Sequence, residues 1–257
     1  MEILVADFVK GILIAMRIAG VFFTAPIFNL RAIPVRAKLL LTIIMAYISL
    51  YMVPDIDPAV AGNFLLLLAY GVKEVMTGMI IGFAINFIFY GISFAGLILG
   101  YEMGLFIAQM FDPTTESNNN VVGQALLIIG ILIFIVINGH HYIIHAIAYS
   151  FKVLPIGIYT MNDSVEKILV QYSSAIFMLA IKIASPIMIS FFLLDIGAGI
   201  IARVIPQMNV FFVVQPLKIE LGMVLLVFVI PVYVYVIKEI LLNYENKILE
   251  LIQKMGF

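Results

Sequence analysis

Cysteine and tryptophan are both absent from this chain of 257 residues, and charged residues make up only 11% of it. Without cysteine there can be neither disulfides nor thiolate metal sites. Soluble domains carry about 25% charged residues, so this chain has too few charges to cover a water-exposed globule. The net charge of -1 provides no basic field for a nucleic acid. These absences exclude disulfides, thiolate metal sites, nucleic acid as a partner and an ordinary soluble domain.

What the chain has instead is apolar sequence, since 64% of its residues are hydrophobic and its mean hydropathy is +1.18. Several apolar stretches reach the ~18–20 residues that cross a bilayer as a helix. The N-terminal residues are acidic where a signal peptide is basic, so we expect no cleaved signal peptide. The sequence predicts an all-α, polytopic integral membrane protein with about six long apolar helical segments. These segments lie at 11–30, 37–53, 64–104, 121–151, 174–201 and 209–237.

Some of these segments are unusual for membrane spans. Residues 39–53 predict a helix of about 22 Å, which is short of the hydrocarbon core of about 30 Å. Lys182 and Pro186 lie inside the fifth stretch and Pro231 lies inside the sixth. Because charged groups are costly in lipid, they usually face protein or water. Two interpretations stay open: a six-helix bundle in lipid with snorkelling lysines, or helices that pack largely on other protein.

The pattern of side chains changes after Pro231. Residues 238–255 alternate charged side chains with an apolar seam at helical spacing, which is typical of an amphipathic helix. We therefore predict a helical membrane domain over 1–237 and an amphipathic C-terminal helix over 238–257. That helix either docks on a partner or surface, or packs one face on its own chain. The seam consists of Leu241, Tyr244, Ile248, Leu251 and Met255.

Glycines with a spacing of four residues, Gly96, Gly100 and Gly104, lie on one face of the third stretch. Where glycine replaces a side chain, a neighbouring helix backbone can approach closely, which is how apolar helices associate in a membrane. Gly78 and Gly82 repeat the spacing. The glycines predict close helix packing, within the chain or between chains.

Four charged residues lie at or near membrane level: Glu102, Lys182, Asp195 and Arg203. A proton-coupled transporter needs such groups paired along a path. Lys182 meets Asp195 only if the helix between them breaks or folds back, and structural pairing or a wet lumen explains the charges as well. A proton-coupled small-solute transporter is therefore the alternative function.

Motifs for catalysis are missing from the sequence. It contains no nucleophile with a base and an orienting group, no phosphate-binding glycine loop and no dinucleotide fingerprint. His141 and His145 lie one helical turn apart, but no nearby carboxylate or cysteine provides a third metal ligand. We expect no enzyme activity, no metal site and no cofactor.

A bulky apolar segment, Phe106-Ile-Ala-Gln-Met-Phe-Asp-Pro113, follows the glycines and precedes an Asn-rich loop. In a pore, such side chains form a constriction that closes by excluding water, and flexible Met side chains reseal around different contents. Taken alone, the segment is more typical of ordinary core packing.

Four blocks of sequence then share an order and spacing with a known family. The second block ends in Asp112-Pro113, and the last contains Asp195-Ile-Gly-Ala-Gly and Gln215-Pro-Leu-Lys218. Together they resemble the FliR family, the R subunits of the bacterial flagellar type III protein-export gate, over nearly the whole chain. Relatives in the injectisome share the same plan. The blocks are residues 25–38, 100–113, 134–141 with 150–157, and 195–211 with 215–218.

The resemblance implies a structural and gating subunit with no catalytic activity of its own. Family members form helical hairpins that pack with the P and Q subunits, FliP and FliQ, into a hetero-oligomeric gate, with the switch protein FlhB around its base. This gate belongs to the flagellar basal body in the bacterial inner membrane, where unfolded flagellar proteins pass through its pore. An injectisome subunit would keep this mechanism and change only the cargo.

The resemblance also implies a role for the bulky apolar segment. In the family, the residues before the Asp-Pro dipeptide contribute a plug loop that closes the channel. By position, the plug residues are Ile107 and Met110, with Phe106 and Phe111 beside them. Relatives often have Phe where this chain has Ile107 and Met110. Since any bulky apolar group excludes water, we expect closure to be retained.

Overall fold

The computed structural model is helical in all of its regular structure over the residues that it describes, which are 2–25, 28, 33–105, 121–159 and 163–256. The all-α class predicted from the sequence is therefore confirmed. The described helices are α1 (Glu2–Thr24), α2 (Val35–Leu50), α3 (Pro58–Gly62), α4 (Phe64–Glu102), α5 (Val121–Val136), α6 (Gly139–Val153), α7 (Asp163–Val204) and α8 (Val210–Met255).

Three of these helices are long and apolar enough to cross a membrane, namely α4, α8 and the part of α7 from Val165 to Val204. α5 and α6 pass the same criterion only as one broken span, with a bend of 71° between them. Asn138, just before α6, has a φ of 60°, and this left-handed conformation interrupts the helical path. The protein is thus a polytopic membrane protein, as predicted. Its described residues contain three helices that are long and apolar enough to span, or four if the bent pair is one span, rather than six.

The last two helices are longer than the apolar stretches that predicted them. α7 has 42 residues and α8 has 46, because the polar segments 163–173 and 238–255 are helical as well. α8 continues through Pro216 and Pro231. In α7, Pro186 lacks the N–H that would bond the carbonyl of Lys182, and Ser185 Oγ donates to that oxygen at 3.1 Å. The domain division at 237/238 stays a prediction.

The chain forms two compact units, and α4, α7 and α8 each contribute to both. The first unit comprises Met1–Phe87, Asn138–Ser173 and Leu242–Phe257, and the second comprises Ile88–Ile137 and Ser174–Leu241.

In the first unit, α1 and α4 touch along their backbones. A Cβ on Gly20 would lie 2.7 Å from the carbonyl oxygen of Val75 and 3.0 Å from the Cα of Gly78, so glycine is what permits this approach. Apolar side chains pack around the contact, each contributing about 1.5–3 kcal/mol when fully buried. The fully buried members include Leu13, Ile14, Ile18, Phe22 and Ile81.

The C-terminal end of α8 belongs to the same unit. Ile248, Leu251 and Met255 of the predicted apolar seam are buried there. Tyr172 in α7 donates its hydroxyl to the carbonyl oxygen of Lys247 at 2.7 Å. Tyr244 donates to the carbonyl oxygen of Ala84 in α4 at 2.9 Å. The amphipathic segment therefore packs one face on its own chain, which was one of the two interpretations left open.

In the second unit, α4 packs against α5. A Cβ on Gly96 would lie 2.6 Å from the backbone nitrogen of Gly123, and the rings of Phe89 and Phe134 meet edge-on at 5.6 Å. In the 18-residue apolar stretch that qualifies each helix as a span, 67% is buried within the chain in α4, against 28% in α7 and 11% in α8. Most of the apolar surface of α7 and α8 thus faces outward, as expected of helices that contact lipid or other proteins.

Candidate functional site

The end of α4 is held by a side chain of α8, within the second unit. Gly104 has a φ of +73°, a left-handed conformation that glycine adopts without strain and that commonly ends helices. Gln215 Nε2 donates to the carbonyl oxygen of Met103 at 3.3 Å. The Gln215 amide also lies where a Cβ on Gly104 would be. This contact fixes where α4 ends, directly before the segment that begins at residue 106.

The side chain of Met103 also anchors this helix end on α8. Its side chain is fully buried and packs against Gly222 of α8, where a Cβ would lie 2.7 Å from Met103 Cγ. Glu102, the last residue of α4, is only partly exposed. Gly104 thus has a conformational role in addition to the packing role predicted for it. Gly100, one helical turn earlier, is buried.

An ion pair joins α7 to α8 near this site. Lys218 Nζ lies 2.7 Å from Asp195 Oδ1 and 2.8 Å from Asp195 Oδ2. The side chain of Lys218 is only 13% exposed, against 49% for Asp195, and its ammonium lies 5.8 Å from the centre of the Phe191 ring. The two parts of the last sequence block that carried the resemblance, 195–211 and 215–218, therefore meet here and fix the register of two antiparallel helices.

The four predicted plug residues lie outside the described residues. These are Phe106, Ile107, Met110 and Phe111, which follow the described end of the chain segment 33–105. Their assignment stays a prediction.

The membrane-level charges are not assembled into a path. α7 is continuous from Asp163 to Val204, so the 13 residues from Lys182 to Asp195 separate them by about 20 Å along the helix. The helix neither breaks nor folds back between them, which the transporter alternative required. Asp195 pairs with Lys218 instead. Arg203 lies exposed in the last turn of α7, where a cation complements the helix dipole.

The histidine cluster has no metal-binding geometry. The ring centres of His140 and His141 lie 4.3 Å apart at an interplanar angle of 56°, and His145 Nδ1 lies 3.9 Å from Glu245 Oε1. Within the described ranges, no group of three or more His, Asp or Glu side chains is arranged to hold a metal ion.

A buried ion pair in the first unit was missed by the sequence analysis. Arg17 of α1 and Glu74 of α4 are both fully buried. Arg17 Nε donates to Glu74 Oε2 at 2.6 Å and Nη2 donates to Glu74 Oε1 at 3.0 Å, which is the strong bidentate geometry of this pair. Nη1 donates to Ser150 Oγ at 3.3 Å and to the carbonyl oxygen of Leu154 at 3.0 Å. The guanidinium also lies 4.3 Å from the centre of the Phe151 ring.

The turn after α6 completes this network. Gly157, with a φ of +79°, donates its N–H to Glu74 Oε1 at 2.8 Å and accepts from Lys73 Nζ at 3.0 Å. Its Cα lies so close to the Tyr70 ring that no Cβ fits. Nearby, burial raises the pKa of the Tyr159 hydroxyl. Residues 150–157 thus contact both members of the buried pair: Ser150 and Leu154 accept from Arg17, and Gly157 donates to Glu74.

A sequence signal for this pair exists. Arg17 and Glu74 are charges within two of the apolar stretches, 11–30 and 64–104, and a charge there must face a partner. Sequence alone does not say which charge pairs with which, because 57 residues separate the two.

The chain is similar to known proteins over most of its length. Residues 8–244 match the family model of bacterial export proteins, family 1. The flagellar biosynthetic protein FliR of Buchnera aphidicola subsp. Acyrthosiphon pisum (strain APS) is 30% identical over 226 residues, which cover 88% of this chain and 87% of that protein. FliR of Bacillus subtilis (strain 168) is 28% identical, covering 89% of each chain. FliR of Escherichia coli (strain K12) is 30% identical, covering 84% of this chain and 82% of that protein.

Proposed function

The chain belongs to the FliR family of bacterial export proteins, and on that premise we propose that it forms part of the pore of the flagellar type III export gate. It is a membrane-embedded subunit of the flagellar export apparatus. In the proposed function, it lies in the bacterial inner membrane within the flagellar basal body. It assembles there with FliP, FliQ and FlhB, and unfolded flagellar proteins pass through the pore. The role is structural and requires no chemistry of its own.

The anchored end of α4 is the observation that supports a gating role. Gln215 and Met103 fix the helix at Gly104, and the apolar segment of Phe106 and Phe111 follows immediately. A closure element in a pore must be attached to a rigid support, because otherwise its position in the conduit is undefined. The left-handed Gly104 and the Gln215 amide that lies against it provide such a support.

Closure is proposed to depend on the apolar side chains of that segment. Bulky apolar groups in a narrow conduit exclude water, and without water ions cannot cross. Met110 adds a flexible side chain that adapts to a passing polypeptide and reseals after it. The segment has no charged residue between Phe106 and Phe111, and a charge there would draw water into the closed conduit.

The test is to remove this bulk. In Met110→Ala/Phe111→Ala, we expect an overproduced gate to conduct ions and small solutes, because the apolar closure is lost. The measurement is ion conductance of the purified gate in a planar bilayer, together with uptake of a normally excluded solute by cells. Met52→Ala/Phe64→Ala is the matched control, since both residues are exposed in the first unit, and it should stay sealed. A sealed membrane in both variants contradicts the plug assignment.

A further inference from the structure

In the first unit, α2 buries its polar side and turns its apolar side outward. A helix that faced water would have the reverse pattern. The residues that α2 buries against the chain lie three or four apart, and they are Lys38, Thr42, Ala46 and Ser49. The outward side is exposed and apolar, with Leu39, Leu40, Ile43, Ile44, Tyr47 and Ile48. This side of α2 is therefore suited to apolar surroundings.

The start of α2 is cationic. Arg36 lies exposed in the first turn, one helical turn before Leu40 on the outward side. Lys38 follows two residues later, on the side that faces the chain. The sequence has no acidic residue between Asp7 and Asp55, so both cations lie in a stretch without local counter-charges.

Neither α1 nor α4 brings an acidic residue to this end of the α1–α2 hairpin. α1 ends at Thr24, whose carbonyl oxygen accepts from Asn86 Nδ2 of α4 at 3.1 Å. Along α4, the nearest acidic residues are Glu74 and Glu102, which are 12 and 16 residues from Asn86, about 18 and 24 Å of helix. The helices that meet here therefore leave the positive charge uncompensated.

Lys38 is only 7% exposed, yet no carboxylate among the described residues pairs with it. Lys10 and Arg17 of α1, by contrast, each have a carboxylate partner. Lys38 Nζ lies 5.9 Å from the centre of the Phe23 ring, one residue before α1 ends, and a helical side chain leans toward the N-terminus of its own helix. A largely buried ammonium is stable only with an anion beside it, so this arrangement favours binding one.

The N-terminus of α2 adds backbone donors to the two cations. Pro34 precedes the helix and makes no side-chain cap, and the first turn contains no acidic residue. The N–H groups of Ala37 and Lys38 donate to the carbonyl oxygen of Pro34 at 2.9 and 3.3 Å, whereas no side chain caps those of Val35 and Arg36. Uncapped N–H groups and the positive end of the helix dipole form a site for a phosphate group.

The apolar side of α2 indicates which phosphate this is. It begins directly beside the cations, at Leu39 and Leu40. From Leu39 to Ile48 the helix rises about 14 Å, which is close to half of a hydrocarbon core of about 30 Å and so to the reach of acyl chains in one leaflet. A free phosphate would use the charged end of α2 and leave this side without a role.

We propose that the start of α2 binds the phosphate of an anionic phospholipid, whose acyl chains lie along the outward side of α2. Arg36 and Lys38 neutralise the headgroup, and the uncapped N–H groups of α2 donate to the phosphate oxygens. An anionic headgroup fits better than a zwitterionic one, because an uncompensated cationic site repels a headgroup amine. The inference is independent of the proposed function, since it concerns only the first unit.

A tryptophan beside the site tests this, because the chain has none of its own. Full-length Leu40→Trp is reconstituted into phosphatidylcholine vesicles that contain dibrominated phosphatidylglycerol or, in a second series, dibrominated phosphatidylcholine. Bromine quenches tryptophan fluorescence on contact, so the two quenching curves give the relative affinity of the lipids. We expect a preference for phosphatidylglycerol of about fivefold or more.

The matched control for this reporter is Phe228→Trp. Phe228 is 75% exposed on α8, and no charged residue lies between Glu220 and Lys238. Its quenching should show no preference between the two lipids. Equal preference at the two positions overturns the proposal.

Charge variants in the Leu40→Trp background test the two cations. Arg36→Gln should lower the preference for phosphatidylglycerol, and Arg36→Gln/Lys38→Gln should reduce it to within about twofold of none, because the counter-charges of the headgroup are lost. Lys167→Gln also removes one exposed cation of the first unit, and it should leave the preference unchanged. If Arg36→Gln has no more effect than Lys167→Gln, the start of α2 does not bind the headgroup.

Two further measurements separate a lipid from other anions. Inorganic phosphate is added to the detergent-purified protein, and a rise in unfolding temperature that Arg36→Gln/Lys38→Gln abolishes, without any lipid preference in vesicles, shows a free-anion site and overturns the proposal. In native membranes, a photoreactive amino acid replaces Leu40, and we expect adducts with anionic phospholipid. Adducts with protein alone show that another chain covers α2, which also overturns the proposal.

Discussion

Arg17 and Glu74 lie in two helices that are otherwise largely apolar, and both side chains are fully buried. Moving two charges out of water costs several kcal/mol per ion, so the pair persists only because its hydrogen bonds are satisfied. Both carboxylate oxygens of Glu74 accept from Arg17, and one also accepts from the backbone of Gly157. The network joins α1, α4, α6 and the turn after α6 within the first unit.

Breaking this pair should destabilise the first unit strongly. Glu74→Gln has nearly the same shape but leaves the guanidinium of Arg17 buried without a counter-charge, which costs about 3–5 kcal/mol. We expect a clear fall in the thermal unfolding temperature of the detergent-purified protein and a lower level of it in membranes.

Two further variants check the cause of that fall. Lys254→Met removes one partner of the exposed Glu250–Lys254 pair, and it should change stability by no more than about 1 kcal/mol. Arg17→Met/Glu74→Met removes both buried charges and should be less destabilised than Glu74→Gln, since no lone charge remains. If Glu74→Gln unfolds at the same temperature as the wild type, the buried pair does not stabilise this unit.

Among the elements, the pairing of α4 with α5 depends on glycine. At Gly96 a Cβ would lie 2.6 Å from the Gly123 nitrogen and 2.9 Å from the Val122 carbonyl carbon. Both obstacles are backbone atoms, so they yield only if the helices move apart. Alanine has the higher helix propensity by about 1 kcal/mol, but that gain does not compensate for separating two packed helices.

Gly96→Ala should therefore lower the unfolding temperature, in spite of its better helix propensity. A substitution that overpacks a core costs about 1–3 kcal/mol. Gly199→Ala is the matched control, because Gly199 is also a helical glycine but has nothing within 4 Å of a Cβ, and it should melt at the wild-type temperature or above. Equal melting of the two variants would show that α4 and α5 do not approach as closely as the structure has them.

The sequence predicted the elements better than their ends and contacts. Apolar stretches revealed the helices because each one is longer than a soluble core helix requires. They missed the first half of α1 and the polar start of α7, since amphipathic turns that pack on the chain itself carry too little hydrophobicity to appear as spans. The polar end of α8 was predicted instead from its amphipathic pattern, and it is helical. The apolar stretch 121–151 contains two helices, α5 and α6, and the break between them was not predicted. The left-handed conformation of Asn138 that causes the break does not change the hydropathy of the stretch.

The contacts of the site could be predicted only in part. Asp195, Gln215 and Lys218 all lie in the sequence blocks that carry the resemblance. The blocks do not show which residue contacts which, because several polar residues are available as partners for each of the three. The spacing of Gly96, Gly100 and Gly104 predicted packing, whereas the left-handed turn at Gly104 depends on Gln215, which lies over a hundred residues away. Such pairings arise from tertiary packing and have no local pattern.

On the scale of the whole molecule, the chain covers α7 and α8 far less than it covers α4, the third helix of spanning length. Their 18-residue apolar stretches are only 28% and 11% buried, and their outward faces carry Lys182 and Glu220. A self-sufficient transporter encloses its charged groups around a path within its own fold. In this chain both charges are exposed and form no ion pair within the described residues, which suits a subunit whose surface is completed by neighbours.

The most direct test of that account is the composition of the complex in which the protein resides. Tagged protein is purified from its own membranes in mild detergent, and the mass of the intact assembly is measured. We predict a large hetero-oligomer that contains the P and Q export-gate subunits. A lone or self-associated chain under the same gentle conditions would contradict the pore-subunit account.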